Sequence, residues 1–396
     1  MEGVPELCYP LRMARFRSIR STGLALLACF AVCGCHTTSD YARPLAPGER
    51  ALRIVVVPET LAGLTDAFEN KSDQLIQAMD RSIAWFDHAS SKRYFPWEYP
   101  PITHVQAQRS LVALRELMAD TKNTHDFVRQ LTAQFDIYES IGYDGKGTVF
   151  FTAYFAPQYP ARRQPNAEFR YPLYELPRDL RSKYVAEGRW PTRLEIERDN
   201  ILAGYELVWL NNPLNVYLIH VNGSACLCLG AQDAMYVGYT ATNEHEYTSL
   251  GKLLVAEGLL SAEEVSMQTI RDAFERTPET VGELMLKNVR FVFFKEYEVD
   301  QWPLASLGVP LTAGASLATD KTVYPPGGLV LVRTPMVNET NGTTWTGRFF
   351  LDQDSGGAIK GPGRADIFEG IGEPAGRVAG AVKAHGRLLY FFLKQD

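Results

Sequence analysis

No apolar run in this 396-residue sequence reaches the roughly twenty residues that a bilayer-spanning helix needs. Cysteine is scarce where it would matter. Of six, Cys8, Cys29, Cys33 and Cys35 crowd into the first 35 residues, leaving only Cys226 and Cys228, so a disulfide framework is not what staples the fold. Excess positive charge is lacking too: the formal net charge is −6, which argues against nucleic acid as a partner. There is no tandem repeat and no low-complexity tract. The seven histidines (36, 88, 104, 125, 220, 245 and 385) include no pair at helical ligand spacing beside a glutamate, so no metal site is expected. A G-x-S-x-G elbow, a Walker loop and a dinucleotide fingerprint are all missing, and "GIGEPAG" at 370–376 has the wrong glycine spacing for phosphate. No cofactor is implied.

What is present begins with an address. Arg12, Arg15, Arg17 and Arg20 precede "GLALLACFAVCG", about a dozen apolar residues, the length of a secretory h-region. Met13 heads a more typical signal than Met1. Gly34-Cys35 resembles a bacterial lipobox, so residues 1–34 read as a signal, Cys35 as the lipidated first residue and 35–50 as a tether. A plain cleaved signal or an uncleaved anchor is the alternative. Removing 1–34 takes the formal charge to −8. His36 after the cysteine is not the aspartate that often retains lipoproteins in the inner membrane, which favours an outer-membrane address.

Further on, "SDQLIQAMDRSIAWFDH" puts Leu75, Ile76, Met79, Ile83 and Phe86 on one helical face behind a Ser72 or Asp73 cap. Two more helices are predicted around "QRSLVALRELMAD" and "THDFVRQLTAQFDIYES". From Gly147 the pattern turns to β-branched and aromatic residues, "GTVFFTAYFAP". Residues 158–286 read as a β-rich domain, including a strand over "VYLIHVNGSACLCLG" and one helix near "LSAEEVSMQTIRDAFER". The final strands, "VRFVFFKEYE", "GLVLVRTP", "TGRFFLDQD" and "GRLLYFFLKQD", have the spacing of a small barrel that the amino-terminal part joins across the insertion.

The chemistry concentrates in "LDQDSGGAIKGPGRADIFEG", residues 351–370, read as turn and loop. A calcium loop is excluded: with Asp352 as its first position, glycine stands at the fifth and at the twelfth, where a bidentate glutamate belongs. Asp354-Ser355-Gly356 matches the short aspartic-protease signature, but Gln353 replaces an apolar residue and no second copy occurs. Singly, Asp320, Asp354 and Asp366 are ordinary turn residues. Their setting argues for more. Gly356 and Gly357 let backbone approach a ligand, Ile359, Ile367 and Phe368 pin the loop to a core, and Lys360 and Arg364 add cations. A carboxyl kept protonated by burial and by neighbouring carboxylates suits glycosidic acid catalysis. Asp352 is expected as solvated surface.

An ordered series of segments then carries a likeness: "LIQAMDRSIAWF", "FDIYESIGYDGKGTVFFTAYFAPQYPARR", "FRYPLYELPRDL", "TRLEIERDNILAG", "YLIHVNGSA", "VGYTATNEHEYTSLGKLL", "VRFVFF", "GVPLTAGASLATD" and "LDQDSGGAIKGPGRADIFEGIG". The sequence resembles the membrane-bound lytic murein transglycosylase A family with its three-aspartate (3D) domain. The resemblance implies a mainly β fold with amino-terminal helices. A double-psi β-barrel would be built from 51–157 and 287–396, a second β-barrel inserted over 158–286, and a glycan groove left between them. It implies Asp366 as general acid and base, with Asp354 and Asp320 as the other aspartates. Thr152, Tyr154, Asn222, Ser224, Gly356, Gly357 and Lys360 would line the groove. Ala153, Phe155 and Asn222 depart from the usual glycine, tyrosine and glutamine. The implied partner is the peptidoglycan glycan strand, together with the membrane through Cys35 and other cell-wall enzymes. Two competing readings remain: a non-catalytic glycan-binding barrel, and a hydrolytic muramidase using both Asp366 and Asp354.

Overall fold

The computed structural model describes residues 41–55, 63–178, 180, 182, 184, 189–230, 233–338 and 342–395; Cys35 and the signal-like segment lie outside the described residues. Strands β1 (Leu52–Ile54), β2 (Phe135–Ser140) and β3 (Val149–Ala156) precede a group formed by β4 (Gln158–Arg162), β5 (Tyr171–Tyr174), β6 (Glu206–Leu210), β7 (Ser224–Cys228), β8 (Ala234–Thr242) and β9 (Val292–Tyr297). The last group is β10 (Ser316–Ala318), β11 (Leu329–Asn338), β12 (Gly342–Asp354), β13 (Arg364–Ile371) and β14 (Lys383–Leu393).

Pairing divides these strands into two sheets. In the first, β14-β11-β12-β10-β13-β3 closes on itself because β3 also pairs with β14, giving a six-stranded barrel that β2 and β1 extend outward. The β13–β3 and β10–β12 pairs are parallel and the rest of the ring is antiparallel. β3 precedes the second sheet in the chain and the other five barrel strands follow it. The second sheet has the order β5-β6-β4-β7-β8-β9, and among the described residues its end strands form no ladder with each other. The fold is thus mainly β.

Helix α1 (Leu64–Glu69) is followed by α2 (Asp73–Asp87), where the Ser72 hydroxyl accepts the Leu75 N–H at 3.2 Å. Its buried face runs through Leu75, Ala78, Met79, Ser82, Trp85 and Phe86, so Ile76 and Ile83 sit at the edge of the expected stripe. Gln353 on β12 reaches this helix, donating to the Ala78 carbonyl at 2.9 Å and the Ser82 hydroxyl at 2.8 Å. Helices α3 (His104–Asp120) and α4 (Thr124–Gln134) are capped by Thr103 and Asn123.

Several sequence expectations fail here. "VRFVFFKEYE", expected among the barrel strands, supplies β9, which pairs with β8 in the second sheet. Residues 158–286 carry helices at Arg193–Arg198, Leu250–Ala256 and Pro278–Leu286 beside the one expected. The helix predicted through Ser140 stops at Gln134, because "FDIYES" alternates with period two and its backbone pairs with β14. The strand predicted over "VYLIHVNGSACLCLG" begins only at Ser224: Pro213–Asn222 is helical, with the Asn212 side chain capping Leu214, Pro213 in the first turn and Gly223 closing it at φ 78°. Those terminal signals outweigh the aromatic and β-branched content between them.

Candidate active site

β10 is three residues long and lies between β12 and β13, so Ala318 is level with Asp354 on one side and Asp366 on the other. Beyond β13 comes β3, with Thr152 level with Asp366 and Tyr154 level with Phe368. Residues two apart in a strand share a face. Thr152 and Tyr154 accordingly work together: the Thr152 hydroxyl donates to Asp366 Oδ1 at 2.7 Å, and the Tyr154 hydroxyl donates to Asp354 Oδ2 at 2.6 Å.

The two carboxylates have different surroundings. Asp354 has both oxygens engaged, since the Ser306 N–H donates to its Oδ1 at 2.8 Å. Asp366 is half-buried, and its Oδ2 has no protein partner among the described residues. Burial pushes the Asp366 carboxyl up from its ordinary 3.8 to about 6; the Thr152 hydrogen bond and the Arg364 guanidinium pull it down, and the Asp354 charge pushes it up. Tyr154 is held well above the ordinary phenol value by burial and by Asp354, so it stays a donor. Arg364 donates from Nη2 to the Thr152 hydroxyl at 3.1 Å.

Asp320 lies in the same region but is fully used. Its Oδ1 accepts the Thr322 N–H at 3.0 Å and the Thr322 hydroxyl at 2.7 Å, while Oδ2 accepts the Gly361 N–H at 2.8 Å. It clamps the glycine-rich loop rather than offering a free carboxylate. Ile359 in the loop is buried, as are Ile367 and Phe368 on β13. A Cβ at Gly356 would press on Ile359 at 3.1 Å, whereas one at Gly357 would meet nothing within 4 Å, leaving open space over that backbone.

An open cleft between the two sheets is lined by Tyr154, Asp320, Asp354, Gly356, Gly357 and Lys360 from the barrel side and by Asn222 and Ser224 from the other. Asp366 and Thr152 are partly exposed beside these residues: Thr152 shares β3 with Tyr154, and β13 holds Asp366 between β3 and β10. Lys360 is exposed, and the side chains of Lys360, Asn222 and Ser224 have no hydrogen-bond partner among the described residues, leaving them available to a ligand. No group of three or more His, Cys, Asp or Glu side chains that could hold a metal occurs among the described residues.

Asp352 corrects the sequence reading. It is not solvated surface but fully buried near the end of β12, accepting from Thr319 at 2.9 Å and Tyr390 at 2.9 Å and forming an ion pair with Lys321. Two further contributors carried no sequence signal, the Ser306 N–H, which reaches Asp354 from a turn, and the spacer Ala318, set by backbone register. Arg364 was expected as a nearby cation, but its contact to Thr152 spans 212 positions.

Known proteins place the chain. A family model described as MltA specific insert domain matches residues 150–295, and a 3D domain model matches 315–392. Membrane-bound lytic murein transglycosylase A of Vibrio cholerae is 35% identical over 265 residues, covering 65% of this chain and 69% of that protein; the Escherichia coli K12 protein of the same name is 34% identical over 275 residues, covering 68% and 71%. Among solved structures, E. coli MltA with bound chitohexaose aligns with a TM-score of 0.66 at 26% identity, covering 91% of this chain and 97% of that one. Asp320, Asp354 and Asp366 fall within the 3D match and most of the second sheet within the insert match, and, with relatives above 30% identity matched over more than two thirds of their length, the chain belongs to the membrane-bound lytic murein transglycosylase A family.

Proposed function

We propose that this protein is a peptidoglycan lytic transglycosylase that cleaves the β-1,4 bond between N-acetylmuramic acid and N-acetylglucosamine and leaves 1,6-anhydromuramic acid ends. Family membership supports the activity, and the chitohexaose bound by the E. coli relative supports a glycan strand in the cleft. The observation that carries the mechanism is the setting of Asp366, a half-buried carboxyl lifted to about 6 with one oxygen free of partners among the described residues.

Protonated Asp366 gives its proton to the glycosidic oxygen while an oxocarbenium-like centre develops at C1. The resulting carboxylate takes the proton of the muramyl C6 hydroxyl as that oxygen attacks C1. The nucleophile belongs to the substrate, so its high effective molarity replaces a second carboxyl. Asp354 is tied to Tyr154 and Ser306, which favours an electrostatic role over activation of water. Mass spectrometry of products from purified peptidoglycan separates the readings. Anhydro ends, one water lighter, are expected; reducing ends would establish the hydrolase, and binding without release would establish a glycan-binding module.

In this reading 51–157 and 298–396 form the catalytic domain and 158–297 the insert, the expected boundary at 286/287 moving because β9 (Val292–Tyr297) pairs with β8 of the second sheet. Acylated Cys35 would hold the protein on the periplasmic face of the outer membrane, near other cell-wall enzymes. The relatives are named membrane-bound, and no helix among the described residues is long and apolar enough to cross a membrane.

Acid catalysis by Asp366 fixes the pH dependence. Since kcat/KM follows the protonated free enzyme, it is expected to be flat below about pH 5, to be halved near pH 6 and to fall about tenfold per pH unit well above it. Thr152→Val removes a hydrogen bond to the ionised form, so the falling limb should move to higher pH by about 0.5 to 1, as a bond worth about 0.5–1.5 kcal/mol implies. A limb that stays in place would show that Thr152 does not set the acid's affinity for its proton.

A further inference from the structure

Residues 41–50 have the composition of a tether, yet the first of them are docked on the barrel. The Tyr41 ring stacks on Phe150, with centroids 4.4 Å apart and planes 19° apart, and meets Tyr143 edge-on at 5.0 Å. Arg43 donates from Nε to the Tyr143 carbonyl at 3.0 Å and pairs with Glu49. Backbone fits against backbone as well. A Cβ on Gly361, at φ +70°, would stand 2.4 Å from the Arg43 carbonyl oxygen, and one on Gly363 would stand 2.7 Å from that of Tyr41. Side chains at either glycine would displace this segment.

Both contacts lead to the acid. Phe150, under Tyr41, also carries the Arg364 guanidinium 5.4 Å from its ring centre; Arg364 holds the Thr152 hydroxyl, and Thr152 donates to Asp366. Gly361, under Arg43, gives its N–H to Asp320, which clamps the loop between Asp354 and Asp366. We propose that residues 41–43 are a strap that positions the catalytic acid, Tyr41 acting through Phe150, Arg364 and Thr152, and the Arg43 carbonyl acting through Gly361 and Asp320.

Tyr41 and Arg43 meet Phe150, Tyr143 and Gly361, none of which lines the cleft, so their effect belongs in turnover and not in glycan affinity. Small displacements of a reacting group are costly: an error of about 1 Å can cost up to about a hundredfold. Because the inference rests on Asp366 as the acid, Asp366→Asn is assayed beside the strap variants on the detergent-solubilised full chain. Tyr41→Ala should lower kcat for anhydro-muropeptide release about tenfold, with KM and sacculus binding within about twofold, and Tyr41→Phe, which keeps the stacked ring, should restore it. If Tyr41→Ala melts below the assay temperature, Tyr41→Leu, which keeps apolar cover, is read by the same split. Wild-type kcat in these variants, or a loss that appears in KM or that phenylalanine fails to restore, overturns the strap. Turnover surviving in Asp366→Asn would instead overturn the assignment of the acid.

Discussion

Asp366→Asn should reduce anhydro-muropeptide release by about 10³-fold or more while leaving sacculus binding near wild type. General acid–base assistance alone contributes about 10²–10⁴-fold, and here one carboxyl serves both proton transfers, so no partner remains to cover the loss. Binding should survive because asparagine keeps the size of Asp366 and an acceptor for the Thr152 hydroxyl, and the residues that line the cleft, Asp354 and Tyr154 among them, are unchanged. The same variant should be more stable than the wild type at alkaline pH. Folding raises the Asp366 pKa from 3.8 to about 6, so the stability it contributes is fully present below 3.8 and is lost as pH rises through about 6. Allowing for partial exposure, that loss is about 2 kcal/mol at pH 7.5. Asparagine carries no charge to bury and escapes it. Paired melts should therefore converge near pH 4 and separate in favour of the variant near pH 7.5. Converged melts at both pH values would mean that Asp366 is not buried as described, and near-normal release would remove it from the acid's role.

The acid was legible as a residue type in a glycine-rich setting, but its neighbours were not. In "LDQDSGGAIKGPGRADIFEG" the sequence shows aspartates at 352, 354 and 366 with no ranking among them except through family resemblance. Rank is fixed by pairings across the barrel: Ala318 sets Asp354 and Asp366 on either side of β10, and β3, nearly 160 positions before β10, brings Thr152 and Tyr154 to them. No local pattern encodes such a register. The same lack misled the reading of Asp352, since an acid among glycines suggests a turn, whereas β12 runs through Asp354 and takes Asp352 into the core. Local signals did better where geometry is local. Ser72, one of the two caps expected for its helix, caps it as side-chain chemistry directs. Where a cap and a composition conflicted, as at Asn212-Pro213 before "LNVYLIHVN", the cap decided.

That buried Asp352 leads to the second large effect. Lys321→Met should destabilise the fold by about 3–5 kcal/mol, the usual penalty when one partner of a buried ion pair is removed and the other charge is left stranded. Burial already pushes the Asp352 carboxyl up, with the Lys321 charge and hydrogen bonds from Lys321, Tyr390 and Thr319 opposing it. Without the lysine, Asp352 moves further up and accepts a proton more readily. The penalty should accordingly be larger at pH 8 than at pH 5, because a group whose folded pKa is raised loses stability as pH rises through that value. Lys321→Met combined with Asp352→Asn removes the charge while keeping an acceptor for the Tyr390 hydroxyl, and should recover most of the loss, as replacing both members of a buried pair commonly does. Thr319 and Leu317 flank Ala318, and both are tied to Asp352, one by its side chain and the other by strand register. A stranded charge there should disturb the spacer between Asp354 and Asp366, so turnover should fall in the single variant and return in the double one. Equal melts for the single and double variants would show that the lysine matters for packing alone.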